Sequence, residues 1–546
     1  MGRVKAWVWT VLILAVLFFV WVWFFAGPKP TVAKTSLKEV PKIVYSDHTE
    51  AFAEAGITSY EGAKSCVDCH EDETRDVFHS YHYQMQNLVS DVEGHTPAMA
   101  GGKLAYNDFC GAIFWDGKVN VNYIGKALLK APPPEFENLM GSFIASGCSM
   151  CHGVSMGGIP QPAEEPSEEQ LGNIDCLACH ADPEVLPTGG KGVKAGIKVP
   201  VKGEDGQWRY VYNPELGIEK IASHIVAEPT KDQCLLCHAF SGGGPGFKRP
   251  NLEPALMGEV HEDLDVHLAR GMECTDCHVF KKHEVALEGP DSWARTDRVD
   301  APDCADCHEE RHTKPVIGWV LETFHMEKVA CQTCHIPHYA KEAPTDTHRD
   351  WSKAEFSEKL KRWEPEIELA QNLKPTYRWW NEKSRVAYLY PEPAKVEDGT
   401  ITYAAPVAEE AKRAGLLKFT TDGKIYPFKR HEAIVPFDTQ RQIPIPVKVG
   451  LVFAAGDTQK AAQVGAKLAG LNFSGEYVTL ERLMAINHGV EPAENALQCF
   501  DCHGPVLRNM PWHELGYGKY PEVVFSIFLL LGLVVGVALL YWLIRK

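Results

Sequence analysis

Cys66-Val67-Asp68-Cys69-His70 is the first of eight copies of one five-residue pattern, and the reading of that pattern decides the fold. The others are Cys148 and Cys151 with His152, Cys176 and Cys179 with His180, Cys234 and Cys237 with His238, Cys274 and Cys277 with His278, Cys304 and Cys307 with His308, Cys331 and Cys334 with His335, and Cys499 and Cys502 with His503. C-x-x-C-H is the attachment signature of c-type haem. The two thiols form thioethers to the vinyl groups, and the adjacent imidazole becomes an axial ligand of the iron. Zinc ribbons and disulfide staples also use C-x-x-C pairs. Neither gives a reason for a His after every second Cys, and here it follows all eight. The expectation is eight covalently attached haem c groups.

The rest of the composition is that of an ordinary globular chain: 546 residues, 45% of them hydrophobic. A formal charge of −17 leaves no basic surplus to neutralise phosphates, which argues against nucleic acid as a partner. The eight motifs use sixteen of the 17 Cys and leave Cys110 over.

Both ends are apolar. Arg3 and Lys5 precede a run from Ala6 to Ala26, and Val523 to Ile544 is followed by Arg545-Lys546. Each run is long enough to span a bilayer, and the basic residues outside them predict cytoplasmic termini. The expected organisation is a transmembrane anchor or signal peptide at 1–26, an exported haem domain at 27–521, and a second span with a basic tail at 522–546. That places a two-pass protein in the cytoplasmic membrane with its bulk on the periplasmic side, where haem c is attached.

Six motifs crowd into 148–335, fewer than about 40 residues each, too little for separate hydrophobic cores. The haems themselves are expected to form the core. The predicted fold is mainly α with extensive loops, short helices at the motifs and little β-sheet. Residues 336–498 carry no motif; turn-rich aromatic sequence there, then helical patterns near 457–470 and 479–487, predict a wrapping around the haem cluster.

Eight of the 23 His belong to motifs, and a bis-His haem needs one more each. His82, His224, His261, His267, His283, His312, His325 and His488 lie near motifs and are the candidate distal ligands. A surface or hydrogen-bonding role is the alternative for any one of them. An iron with two His ligands is saturated and passes electrons only; chemistry needs an open or weakly held position.

The sequence resembles the octahaem tetrathionate reductase family of multihaem cytochromes c. Besides the motifs, the resemblance rests on Asn107-Asp108-Phe109-Cys110, Ile174-Asp175-Cys176, Gly242-Gly243-Gly244 with Lys248, and Asp265-Val266-His267. Val329 to Pro337, Leu373-Lys374-Pro375-Thr376-Tyr377, Lys424 to Lys429 and Ile486-Asn487-His488-Gly489-Val490 extend it across about 47–505. It implies that the haem of the second motif is the reactive one, with Lys248 as an axial ligand and Cys110 as a free thiol beside the pocket. A family acidic residue three before the lysine is replaced here by Pro245. From its residues alone Lys248 reads as an exposed lysine in a Gly loop, and Cys110 as a small buried hydrophobe or a pocket thiol.

The expected function is reduction of a small sulfur or nitrogen oxyanion, of the tetrathionate, nitrite or hydroxylamine type. Electrons would come from a membrane quinol or membrane-bound donor. The alternative is a non-catalytic conduit between such a donor and periplasmic cytochromes.

Overall fold

The computed structural model describes residues 43–84, 87–89, 98–100, 151, 153–155, 160, 163–182, 198–202, 204, 208–212, 216–285, 302–309, 311–313, 315–359, 362–387, 395–408, 412–413, 419–503, 510–518, 541 and 545. The described residues of 43–335 run as short helices and loops with three two-stranded pairings and a few isolated bridges, and from 345 onward the chain changes character.

There the expectation of little sheet is overturned. Eight strands form one mixed sheet: β1 (Thr345–Ser357), β2 (Arg362–Ala370), β3 (Thr376–Trp380), β4 (Ser384–Val386), β5 (Thr400–Pro406), β6 (Lys424–Asp438), β7 (Ile443–Pro444) and β8 (Tyr477–Ala485). Their order is β4-β5-β8-β6-β1-β2, with β3 and β7 also paired to β6. The physical reason lies in chain supply. Where motifs are dense the chain builds only small clusters, such as Tyr60, Val154, Leu177 and Ile221, but the motif-free stretch has enough for a large core of its own.

β6 is the axis of this sheet. It pairs antiparallel with β8, from Phe428 opposite Ala485 to Pro436 opposite Tyr477, and parallel with β1 at Glu432 to Ile434. Alternate residues of β6 share a face. Ala433, Val435 and Phe437 join Val478 and Leu480 of β8 in a core closed by two helices, α1 (Val449–Ala455) and α2 (Thr458–Ala469). The helix expected near 457–470 is therefore present as α2. Its Asp457 side chain accepts from the Lys460 N–H at the start, and Gly470 ends it in the left-handed conformation. The helix expected near 479–487 is instead strand β8, because alternate burial of Val478, Leu480, Arg482 and Met484 against two neighbouring strands outweighs their helix propensity.

On that same face of β6, Lys429 and His431 continue the row toward the first half of the chain, both fully buried. They are the point where the sheet meets the motif-bearing region.

The two-pass membrane placement is also corrected. Among the described residues no helix is long and apolar enough to cross a membrane. The spans expected at 1–26 and 522–546 lie outside the described residues, apart from Tyr541 and Arg545.

Candidate functional site: paired histidines and a buried lysine loop

Each described motif is a single helical turn or the approach to one. The His N–H donates to the carbonyl of the first Cys at 2.9 Å in His70, 3.1 Å in His180, 2.8 Å in His278 and 2.9 Å in His308. This i→i−4 bond puts the two thiols, three residues apart, on one side of the turn, with the imidazole next to them.

The motif imidazoles stand opposite other imidazoles at a nearly constant spacing. Ring centres are 6.1 Å apart for His70 and His48, 6.3 Å for His180 and His283, and 6.3 Å for His238 and His82. They are 6.0 Å apart for His278 and His488, 6.0 Å for His308 and His267, and 6.1 Å for His503 and His325. For the seventh motif, His312 is the strongest electrostatic neighbour of His335. A metal–imidazole bond is about 2.0–2.1 Å and the nitrogen lies about 1.2 Å from the ring centre, so two imidazoles trans across one metal have centres about 6.4 Å apart. Direct ring stacking or a hydrogen bond between imidazoles would not impose one separation on six unrelated pairs. The residues present therefore fit a haem iron held between each pair.

Tautomers agree with that fit. The Nδ1 of His48 faces the Ser46 carbonyl at 2.7 Å, that of His180 faces the Val226 carbonyl at 2.7 Å, and that of His312 faces the Glu322 carboxylate at 2.9 Å. A ring that donates from Nδ1 keeps its Nε2 lone pair for a metal. Burial depresses His82, His180, His267, His335 and His503 below the usual histidine range. For His238, burial and then the Arg249 guanidinium push it well below that range. All six are thus held in the neutral, ligating form.

Five of the eight expected distal histidines, His82, His267, His283, His325 and His488, lie against a motif histidine in this way, and His312 lies near His335. The other two are placed differently. His224 is bonded to the Ser223 hydroxyl at 2.9 Å and lies edge-on to Tyr45, and His261 is exposed beside Asp263. His48 stands where the first motif needs a partner, and the sequence reading passed over it. Its N–H donates to the Ala222 carbonyl at 2.9 Å, so a segment more than 170 residues away positions it. The same segment's Val226 carbonyl orients His180. No local signal marks this pairing; only the count of one partner per motif points to a missing histidine.

The attachment thiols also lie close from motif to motif. Cys66 lies near Cys176, Cys151 near Cys237, Cys234 near Cys274, and Cys304 near Cys331. Cys179 is within electrostatic reach of Cys237, Cys277 of Cys307, and Cys334 of Cys499. The neighbouring pairs form one series from the eighth motif through the seventh, sixth and fifth to the fourth. At the fourth it divides, one arm reaching the second motif and the other the third and then the first.

The second motif is represented by Cys151; Cys148, His152 and Cys110 lie outside the described residues. Lys248 does not have the exposure its Gly loop suggested: it is 6% exposed. The loop leaves the fourth-motif helix α3 (Lys231–His238) and folds back on itself, with Gly246 N–H bonded to Ala239 and Lys248 N–H to Ser241. Gly242, Gly243 and Gly246 have φ values of +87°, +99° and +70°, which only glycine adopts without strain. The glycines thus make the turn that buries Lys248 beside the motif that Cys237 joins to Cys151. The sheet receives this loop through Thr345, Asp346, Arg349 and Lys429. Burial opposes the charge on Asp346, yet the Arg349 guanidinium, His431 and Lys429 together hold its carboxyl below the usual carboxylate range.

Motif turns, paired imidazoles and neighbouring attachment points define a multihaem c-type cytochrome. The bacterial cytochrome c family model matches residues 339–506, and the model for cytochrome c7 and related cytochromes c matches 260–347. A solved structure, the octahaem cytochrome c of Shewanella oneidensis, is similar with a TM-score of 0.59 and 23% identity, covering 87% of this chain and 97% of that one. That likeness is one of fold. An uncharacterised protein of Archaeoglobus fulgidus is 50% identical over 252 residues, 46% of this chain and 83% of its own length. The chain belongs to the same family as that archaeal protein.

Proposed function

We propose that all eight motifs carry haem c and that the chain is an oxidoreductase whose reaction centre is the haem of the second motif. The observation that supports this reading is the burial of Lys248 in the loop that follows the fourth motif, whose Cys237 lies near Cys151 of the second. Six other motif histidines each face a second histidine. The saturated irons relay electrons, and the iron with a different ligand supplies the position for chemistry.

In this reading electrons enter at the eighth-motif end of the series and pass by neighbouring attachment points to the fourth motif. The neighbouring Cys237 and Cys151 then deliver them to the second. His152 and Lys248 would hold the iron there, the lysine through its amine. The haem supplies one electron at a time and a metal site for an oxyanion. The substrate class is a small oxidised sulfur or nitrogen compound such as tetrathionate, nitrite or hydroxylamine. The branch to the third and first motifs ends at the exposed Cys69 and gives a second contact point for a redox partner.

Film voltammetry of the full-length holoprotein with tetrathionate, nitrite and hydroxylamine tests the proposal. A catalytic reduction current with one of them is the expected result. Eight reversible one-electron waves unchanged by all three would leave an electron conduit.

A further inference from the structure

Buried ammonium groups are costly unless something specific is gained from them. Lys429 on β6 is 0% exposed, and its acceptors include main-chain oxygens of the Lys248 loop. Its Nζ donates to the Phe247 carbonyl at 2.7 Å, to the Lys248 carbonyl at 3.2 Å and to the Thr345 hydroxyl at 2.7 Å. Thr345 in turn approaches the Gly246 carbonyl at 2.8 Å and the Phe247 carbonyl at 3.0 Å. Arg349 reaches the Gly242 carbonyl at 2.8 Å while paired with Asp346 at 2.7 Å, and the Asp346 N–H donates to Phe247 at 3.1 Å. Four carbonyls between Gly242 and Lys248 are therefore held by donors from β1 and β6. A methionine would fill the Lys429 site without desolvating a charge, but it would leave the Phe247 and Lys248 carbonyls without their donor and Asp346 without one of its cations.

We propose that Lys429 is a positioning residue: it ties the backbone of Phe247 and Lys248 to the haem-free sheet and so fixes the Lys248 amine on the iron of the second motif. The inference rests on Lys248 being that iron's ligand. With the loop backbone clamped, the amine leaves the iron by turning its own side chain, and the sheet sets how readily it returns.

The test uses the full-length ferric holoprotein, with cyanide as the competing ligand and near-infrared magnetic circular dichroism as the report on lysine ligation. Groups that support a metal ligand from behind change its hold by about 10–100-fold when removed. Lys429→Met is expected to speed cyanide binding about tenfold and to weaken the lysine–histidine charge-transfer band, leaving the bis-His bands unchanged. Lys429→Arg, which keeps a cationic donor, is expected to restore most of the band. Wild-type cyanide kinetics and an unaltered band in Lys429→Met would overturn the proposal. Should that variant fail to fold, Thr345→Val removes the hydroxyl between Lys429 and the loop at equal volume. It is expected to move both readouts in the same direction, and no movement overturns the proposal equally. Lys248→Met separates the two levels. If it leaves the band intact, the ligand assignment fails; if it abolishes the band while Lys429→Met changes nothing, only the positioning role fails.

Discussion

Lys248→Met is expected to remove one low-spin ferric signal, to leave the bis-His signals as they were, and to abolish the catalytic current. The lysine is buried in a loop whose turn depends on three positive-φ glycines, so the substitution alters the donor without releasing the backbone. Loss of a group that only supports a metal ligand costs about 10–100-fold in activity, which sets the lower bound for losing the ligand itself. The measurement is voltammetry paired with low-temperature electron paramagnetic resonance on the same sample. An unchanged spectrum with a wild-type current would remove Lys248 from the site. A changed spectrum with a wild-type current would make it a ligand without a catalytic task.

His48→Met is expected to move one haem potential and no other ligand signal. The Met thioether in place of imidazole favours the reduced iron, and axial ligand choice as a whole spans roughly 0.8 V. A rise on the order of 0.2 V at the first motif is the expected size, read by spectropotentiometry. The same substitution at His224 or His261 is expected to leave every potential in place, since one is held by Ser223 and the other faces solvent beside Asp263. A shift in either of these, and none in His48→Met, would reassign the first-motif ligand.

These outcomes bear on what could be read from the chain beforehand. The haem attachment points are local, five residues long, and fully legible. Five expected distal histidines, His82, His267, His283, His325 and His488, lie near the motifs in sequence or in a quoted stretch, and each stands against a motif histidine. His48 was not legible, because what holds it is the Ala222 carbonyl, and the link between Tyr45 and Val226 is a β-bridge between distant segments. Nothing in the sequence around it announces that contact.

The sheet was missed for a different reason. Crowded motifs leave room only for small buried clusters, whereas the motif-free stretch has chain enough for the sheet and its core. The alternation was present in β6, where Lys429, His431, Ala433, Val435 and Phe437 share one buried face. Two polar residues in that row, Lys429 and His431, disguised it. In β8 the buried Arg482 and the helix-favouring Leu, Glu and Met had the same effect. Polar side chains that face an interior site, rather than solvent, break the pattern on which sequence reading depends. Here they mark the edge where the sheet takes hold of the Lys248 loop.

The claim on which the account stands is that seven irons lie between paired histidines and one between a histidine and a lysine. Low-temperature electron paramagnetic resonance of the oxidised full-length protein, integrated against the haem content of the same sample, tests it most directly. The ring planes cross at 89° in the His82–His238 pair and at 85° in His325–His503, but at 26° in His278–His488. The predicted spectrum therefore combines strongly anisotropic and rhombic bis-His signals summing to seven spins, with one further spin that Lys248→Met displaces. Eight bis-His spins, or fewer than eight haems in total, would contradict it.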